Sequence, residues 1–275
     1  MTRTVTPDQI EALLDKAEDA IEEGRPEAAL EVCAMVLRSS PGHAGALFVQ
    51  GDAQRMIGAL EEASESYRTA ALREPNHAAS WASLSLCAFE LLRFDEAQKA
   101  CTRAAREDTE NAEAWWVRGL LRERRGDLGG ADRALLRAAW LDPEAFPANP
   151  KLSDADVDSI VEETLGALHP ALREYLSNIA IVLEELPSDE ILKQYDPPAN
   201  PLELLGSFSG HSLRERSTQD PWSQVPGTIV LYRRNLERHA TSRADLIDEL
   251  RITLFHEVGH FLGLDEDDLE DRGLD

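Results

Sequence analysis

Leu250 to Glu266 reads Leu-Arg-Ile-Thr-Leu-Phe-His-Glu-Val-Gly-His-Phe-Leu-Gly-Leu-Asp-Glu, and this stretch decides the fold of the C-terminal half. It contains His256, Glu257 and His260 in the spacing HExxH. Apolar residues recur at helical spacing from Leu246 to Leu262, which predicts a helix with one buried face. Two histidines four residues apart lie one above the other on such a helix, about one turn of 5.4 Å apart. Both imidazoles are therefore presented to the same side.

This pattern predicts a zinc site with a general base beside it. Zinc–nitrogen distances of about 2.0–2.1 Å can be met by both rings at once, so His256 and His260 are predicted metal ligands. Glu257 directly follows the first ligand, where its carboxylate can reach a water at the metal and serve as general base. HExxH on a helix is the signature of zinc peptidases.

A catalytic zinc takes three protein ligands and keeps one open position. Fifteen residues follow His260 and none of them is histidine, so we expect the third ligand either close behind the motif, as an acidic residue, or upstream of it. Gly263 can adopt a positive φ, end the helix and turn the chain back toward the metal. Glu266 is the preferred candidate for the third ligand. Asp265, above all, and then Asp267 and Asp268 are the alternatives.

The residues before the motif predict a helix and a small sheet. Residues 154–176 are predicted to be helical, and β-branched or apolar runs at 178–185, 204–208 and 227–232 are predicted strands. An edge of the strand 228–232 is expected to pair with an extended peptide. Further candidates are His211 and His239 as carbonyl-polarising groups or extra ligands, Tyr232 or Arg214 at an oxyanion, and Asp248 or Glu249 as partners of the zinc histidines.

Four stretches together resemble the minimal-zincin family of small bacterial zinc-metallopeptidase-like domains. They are VLEELPSDEIL (182–192), LLGSFSGHSLRERS (204–217), GTIVLYRRNLER (227–238) and LRITLFHEVGHFLGLDEDDLEDRG (250–273). The resemblance implies an α+β fold with a small mixed sheet, an HExxH helix across it, zinc and peptidase chemistry. In that family an acidic residue, usually Asp, takes the third ligand position, and Glu266 stands there in this chain. The Met-turn of metzincins is missing, because the methionines are Met1, Met35 and Met56.

The N-terminal half is an array of repeats, in which five columns of residues recur at a period of 34. The columns are Leu13/Leu47/Trp81/Trp115, Ala17/Gly51/Ser85/Gly119, Pro26/Leu60/Phe94/Leu128, Ala29/Ala63/Ala97/Ala131 and Pro41/Pro75/Thr109/Pro143. This period is typical of tetratricopeptide helix pairs, and the array resembles tetratricopeptide proteins. We predict an all-α solenoid of four units over residues 6–143, a linker at 144–153 and the zincin-like domain at 154–275. Stacked helix pairs leave a concave groove, which is predicted to bind a protein or peptide.

Composition limits the remaining partners. The net charge is −24 without a long basic patch, which argues against nucleic acid and anionic membranes as partners. No apolar run approaches 18 residues and residues 1–10 carry no signal pattern, so a cytoplasmic location is expected. Cys33, Cys87 and Cys101 lack CxxC spacing and are predicted to be reduced core residues.

These features together predict a zinc-dependent peptidase. The repeat domain is expected to recruit a protein or peptide substrate, and Glu257 with zinc on His256, His260 and Glu266 to hydrolyse it. The alternative is a tetratricopeptide adaptor or scaffold protein with a catalytically silent zinc-binding domain. In a third hypothesis the acidic segment 267–275 covers the cleft of a latent peptidase.

Overall fold

The computed structural model describes residues 6–213 and 227–270. The chain divides into two compact units, Met1–Ala148 and Asn149–Asp275. Each unit has buried apolar clusters of its own. Within the described ranges, no helix has both the length and the apolar character needed to cross a membrane.

The first unit confirms the predicted all-α repeat architecture. Its helices form successive pairs, each pair spanning one 34-residue unit. They are α1 (Pro7–Glu22), α2 (Pro26–Ser39), α3 (Ala44–Met56), α4 (Leu60–Arg73), α5 (Ala78–Glu90), α6 (Phe94–Glu107), α7 (Ala112–Glu123) and α8 (Leu128–Leu141). Cys33, Cys87 and Cys101 are buried free cysteines, as predicted.

The column of small residues explains how the two helices of a pair approach each other. A Cβ atom added to Gly51 in α3 would lie 2.6 Å from the Tyr67 ring of α4, and one added to Gly119 in α7 would lie 2.6 Å from Leu135 of α8. Real side chains avoid such distances, so this column has to stay small. Tyr67 is fully buried and donates a hydrogen bond from its hydroxyl to Asp52, 2.7 Å away.

The turn between the helices of a pair is a further repeating feature. Gly24, Gly58 and Gly126 have φ values of 68°, 75° and 76°, and Leu92 takes the same place at 58°. The left-handed region costs a non-glycine residue about 1–2 kcal/mol, so glycine is the natural residue of this column. The sequence period therefore also encodes a backbone conformation.

Gly58→Ala should lower the free energy of unfolding by about 1 kcal/mol, because alanine is strained at positive φ. No atom lies within 4 Å of the added Cβ, so the loss would be purely conformational. Gly129→Ala is the matched control, since Gly129 lies in α8 and its added Cβ makes one ordinary contact at 3.7 Å. We expect that control to be neutral or stabilising. Urea unfolding of both variants checks this, and equal effects would contradict it.

The second unit is α+β, as predicted. Its elements are α9 (Asp154–Ala167), α10 (Pro170–Leu176), β1 (Ala180–Glu184), α11 (Asp189–Leu192), β2 (Gly206–Ser209), β3 (Thr228–Tyr232), α12 (Arg233–His239), α13 (Arg243–Leu262) and α14 (Glu266–Glu270). The strands form a mixed sheet in the order β1-β3-β2. β1 runs parallel to β3 and β2 runs antiparallel to it. Apolar residues of α9, α13 and the sheet share one core.

Two sequence predictions about this unit are wrong. Residues 154–176 form two helices instead of one, because Pro170 starts a new helix and disfavours helical geometry in the residue before it. The strand 228–232 is central in the sheet, with β1 on one side and β2 on the other. Its edges are used within the domain, so an extended peptide would have to pair elsewhere.

Candidate metal centre

The HExxH motif lies in the last turns of α13. The Ser242 hydroxyl caps the start of this helix by accepting a hydrogen bond from the Asp245 amide at 3.1 Å. Gly263 ends the helix with φ 84°, as the sequence predicts. The Gly263 amide then donates a hydrogen bond to the backbone carbonyl of His260, and the Leu264 amide donates one to the backbone carbonyl of Gly259, each at 3.0 Å. This is the Schellman arrangement, and it turns the chain sharply after the second histidine.

The two motif histidines converge. Their ring centroids are 4.6 Å apart with the planes at 82°, and the Nε2 atoms of His256 and His260 are 3.0 Å apart. Two nitrogens on one tetrahedral zinc at about 2.0–2.1 Å would be about 3.3 Å apart, so the pair is close to the spacing that zinc requires. The two histidines therefore have the spacing of two of the three protein ligands that a catalytic zinc takes.

His260 has a second contact, through its other ring nitrogen. Its Nδ1 lies 3.3 Å from the carbonyl oxygen of Leu264. A proton on Nδ1 would be donated to that carbonyl, which leaves the lone pair of Nε2 toward His256 and the metal position. The turn at Gly263 places this carbonyl, so the end of the helix and the orientation of the His260 ring are linked.

Glu257 is 5% exposed and faces the β2 strand. A Cβ atom on Gly206 would lie 2.9 Å from the Glu257 Oε1 and 2.8 Å from Thr253 Cγ2. Glycine at position 206 is therefore what allows the carboxylate to lie against the sheet. Sequence reasoning missed Gly206, although a glycine opening a predicted strand can signal a close approach.

A cleft of about 220 Å³ opens beside these residues. One wall is the loop before β2 and the other is the exposed face of α13. The lining residues are Glu203, Leu204, Leu205, Gly206, Glu249, Ile252, Thr253, His256 and Glu257. Asn235 of α12 holds the loop wall, because its buried side-chain amide donates to the carbonyls of Pro201 at 3.0 Å and Leu204 at 2.8 Å. No motif or spacing in the sequence pointed to Asn235.

Other predicted site residues have different surroundings. The Tyr232 side chain is 1% exposed, and its hydroxyl is 2.8 Å from the Ser207 hydroxyl. Burial, and then the charges of Glu184 and Glu257, raise the pKa of Tyr232. This hydroxyl lies inside the domain, which makes it a support for the site instead of a group that can touch substrate. The Arg214 candidate lies outside the described residues.

The structure also shows the contacts and exposure of the other acidic and histidine candidates. Glu249 Oε2 is 3.3 Å from His239 Nδ1, and Glu249 also lines the cleft together with His256. Asp248 is exposed and 3.5 Å from Arg251. His239 is 60% exposed, and His211 is exposed as well. None of these four side chains lies in a metal-binding group of the described residues.

The third ligand remains a prediction. The backbone of Glu266 begins α14, but its side chain lies outside the described residues. Asp265 accepts a hydrogen bond at Oδ1 from the Asp268 amide at 2.9 Å, which is the role of a helix cap. Among the side chains described in 6–213 and 227–270, no third His, Cys, Asp or Glu completes a metal-binding group.

The repeat domain carries its own polar cluster, formed by Asp52, Arg55, Glu90 and Glu113 on the first helices of successive pairs. Arg55 is 3.7 Å from Glu90, and the Ser83 hydroxyl donates to Glu113 at 2.9 Å. Burial raises the pKa of Glu113 from 4.5 to about 7, with smaller contributions from the other carboxylates. Carboxylates outnumber the arginine in this cluster.

Glu113 should make the stability of the protein depend on pH. The pKa of Glu113 is about 7 in the folded protein and 4.5 for an unperturbed glutamate, as in the unfolded chain. Between pH 4.5 and 7 the folded state therefore binds more protons than the unfolded state. Stability therefore falls as pH rises from about 4.5 to 7. Glu113→Gln should remove this fall and exceed the parent at pH 8 by roughly 1–3 kcal/mol. Urea unfolding at pH 5 and 8 measures it, and parallel pH dependences in both proteins would contradict the assignment.

Comparisons with known protein families give one match in each half of the chain. A model for zincin-like metallopeptidases matches residues 176–274, and a model for tetratricopeptide repeats matches residues 14–72 and 88–150. A comparison with curated proteins gives no match.

Solved structures similar to the chain include three repeat proteins. TTC0263, a thermophilic tetratricopeptide protein in Thermus thermophilus, is 22% identical with a TM-score of 0.47, covering 61% of this chain and 89% of that one. A crystal structure of MamA is 21% identical with a TM-score of 0.43, covering 50% and 81%. The first tetratricopeptide domain of Spaghetti (RPAP3), bound to the HSP90 peptide SRMEEVD, is 16% identical with a TM-score of 0.39, covering 48% and 98%.

The period of 34, the helix pairs and the HExxH helix on its mixed sheet thus agree with the two family models. The chain thus has an N-terminal all-α region that matches tetratricopeptide repeats, followed by an α+β region that matches a model for zincin-like metallopeptidases.

Proposed function

We propose that this protein is a zinc-dependent peptidase whose repeat domain recruits a protein or peptide and whose zincin-like domain hydrolyses it. One observation carries the proposal. The Nε2 atoms of His256 and His260 are 3.0 Å apart, and the adjacent Glu257 carboxylate lines the same cleft as His256. The proposed ligand His256 and the proposed base Glu257 thus line one cleft, which supports the proposal.

Glu257 moves the proton in the proposed reaction. Zinc, when bound, supplies Lewis-acid chemistry that acidifies water and polarises a peptide carbonyl. Glu257 accepts a proton as the water oxygen bonds to the carbonyl carbon, and it then delivers that proton to the amide nitrogen as the C–N bond breaks. The close packing of Gly206 and Thr253 limits the positions that this carboxylate can take. We propose Glu266 as the third ligand, since Asp265 is engaged as a helix cap.

A sheet edge for the substrate lies beside this carboxylate. Among the described strands β2 is at the edge of the sheet, paired with β3 on one side, and its first residue, Gly206, lies against Glu257. An extended peptide that pairs with the other side of β2 would place its backbone next to the base. The proposed pairing strand is therefore β2 and not β3.

The proposal is tested with the purified full chain, a mixture of unstructured peptides and mass spectrometry. We expect peptide cleavage that a zinc chelator abolishes and added Zn²⁺ restores. Zinc bound through the motif without any cleavage would instead favour the adaptor hypothesis.

The cleft should favour basic substrates. Glu203 and Glu249 line it beside Glu257, and opposite charges attract a lysine or arginine side chain. Glu249→Gln should lower the preference for basic over acidic peptides, in kcat/KM, by roughly 3- to 10-fold, since a partly exposed ion pair contributes about 1 kcal/mol. Asp248→Asn is the control, because Asp248 is the neighbouring residue and does not line the cleft. An equal change in both variants would point to a general charge effect.

A further inference from the structure

The chain folds back onto the motif helix after Gly263, through a contact between two residues. Leu269 of α14 is 0% exposed. A Cβ atom added to Gly259, which immediately precedes His260, would lie 2.3 Å from Leu269 Cδ2 and 3.6 Å from Leu264 Cδ1. The Leu269 side chain therefore rests directly on α13 at the one motif position that has no side chain of its own.

The segment between these contacts carries the groups that concern the metal. The carbonyl of Leu264 lies 3.3 Å from His260 Nδ1. Asp265 then begins the turn of α14, accepting hydrogen bonds from the Leu269 amide at 3.0 Å and from the Asp268 amide at 2.9 Å. Four acidic residues, 265–268, lie in this segment. The Leu269 contact thus attaches the far end of this segment to α13.

The composition of this segment makes the burial of Leu269 important for its position. Leu269 is the sole apolar residue between Leu264 and Gly273, and α14 has five residues, fewer than an isolated helix needs. Consecutive carboxylates also repel one another, which favours an extended, solvated chain. Burial of one leucine opposes both tendencies.

We propose that Leu269 is a positioning residue for the metal centre. Seated on Gly259, it holds the Leu264 carbonyl against His260 and fixes the backbone of the acidic segment 265–268 that follows. The inference rests on the proposed zinc site, although it concerns metal affinity and not peptide cleavage.

The test measures zinc affinity of the full chain by competition with a chromophoric chelator. Leu269→Ala should weaken zinc binding by about 10- to 100-fold, the usual effect of losing a group that orients a ligand. Leu269→Met should restore most of the affinity, because methionine keeps the volume. Val182→Ala, at a half-exposed strand position, is the control and should bind zinc like the parent. The free energy of unfolding of the metal-free variants is measured in parallel. We expect it to change by less than the free energy of zinc binding.

Gly259→Ala supplies an independent variant, because its added methyl group would displace Leu269 while the leucine itself is kept. As a single substitution, Gly259→Ala should weaken zinc binding. In the Leu269→Ala background it should cause little further loss of affinity, as expected for two residues that act through one contact. Parent-like zinc affinity in Leu269→Ala would overturn the inference and leave the proposed function intact. A parent protein that binds no zinc through His260 would overturn both.

Discussion

Glu257→Gln should leave zinc bound at the parent level and lower kcat for peptide hydrolysis by about 10²- to 10⁴-fold. Glutamine has nearly the shape of glutamate, so the packing against Gly206 and Thr253 is kept. The amide cannot accept the proton of the attacking water, and the base is therefore lost while the metal ligands stay. Zinc content and steady-state kinetics on the same preparation measure both halves of this expectation.

Glu249→Gln is the matched control for this experiment. It makes the same chemical change in the same cleft, eight residues earlier on α13. We expect it to change substrate preference by less than an order of magnitude, since it would touch the substrate and not the attacking water. If Glu257→Gln cleaves as fast as the parent, Glu257 is not the base and the mechanism fails.

His260→Ala should remove the zinc ion from the chain, with about one zinc per chain in the parent and close to none in the variant. The substitution deletes one of two converging Nε2 atoms and also leaves the Leu264 carbonyl without its imidazole neighbour. Elemental mass spectrometry of the purified proteins gives the stoichiometry directly.

His239→Ala is the control for metal loss. His239 is a histidine of the same domain, but its side chain is 60% exposed and lies 3.3 Å from Glu249. We expect this variant to keep its zinc. Equal zinc contents in the parent, His239→Ala and His260→Ala would show that the motif does not bind the metal.

The predictions from sequence succeeded where local geometry decides the outcome. The period of 34 indicated the helix pairs, and the helical spacing of Leu246 to Leu262 indicated α13 with its glycine terminus. The strand at 228–232 was also predicted, because β-branched and apolar residues mark it. The position of this strand in the sheet was predicted wrongly, because it is central and not at an edge. Strand order depends on which segments meet across long stretches of chain, and composition does not carry that information.

The sequence by itself determined that His256 and His260 share one face, because four residues of helix rotation bring two side chains together in any context. It also determined the repeat array, since each 34-residue unit buries its apolar face against its neighbours. Tertiary structure alone decided that Gly206 admits Glu257 to the sheet, that Asn235 holds the cleft wall and that Leu269 rests on Gly259. These contacts join segments about 10 to 50 residues apart, and packing selects them only once the whole domain has formed.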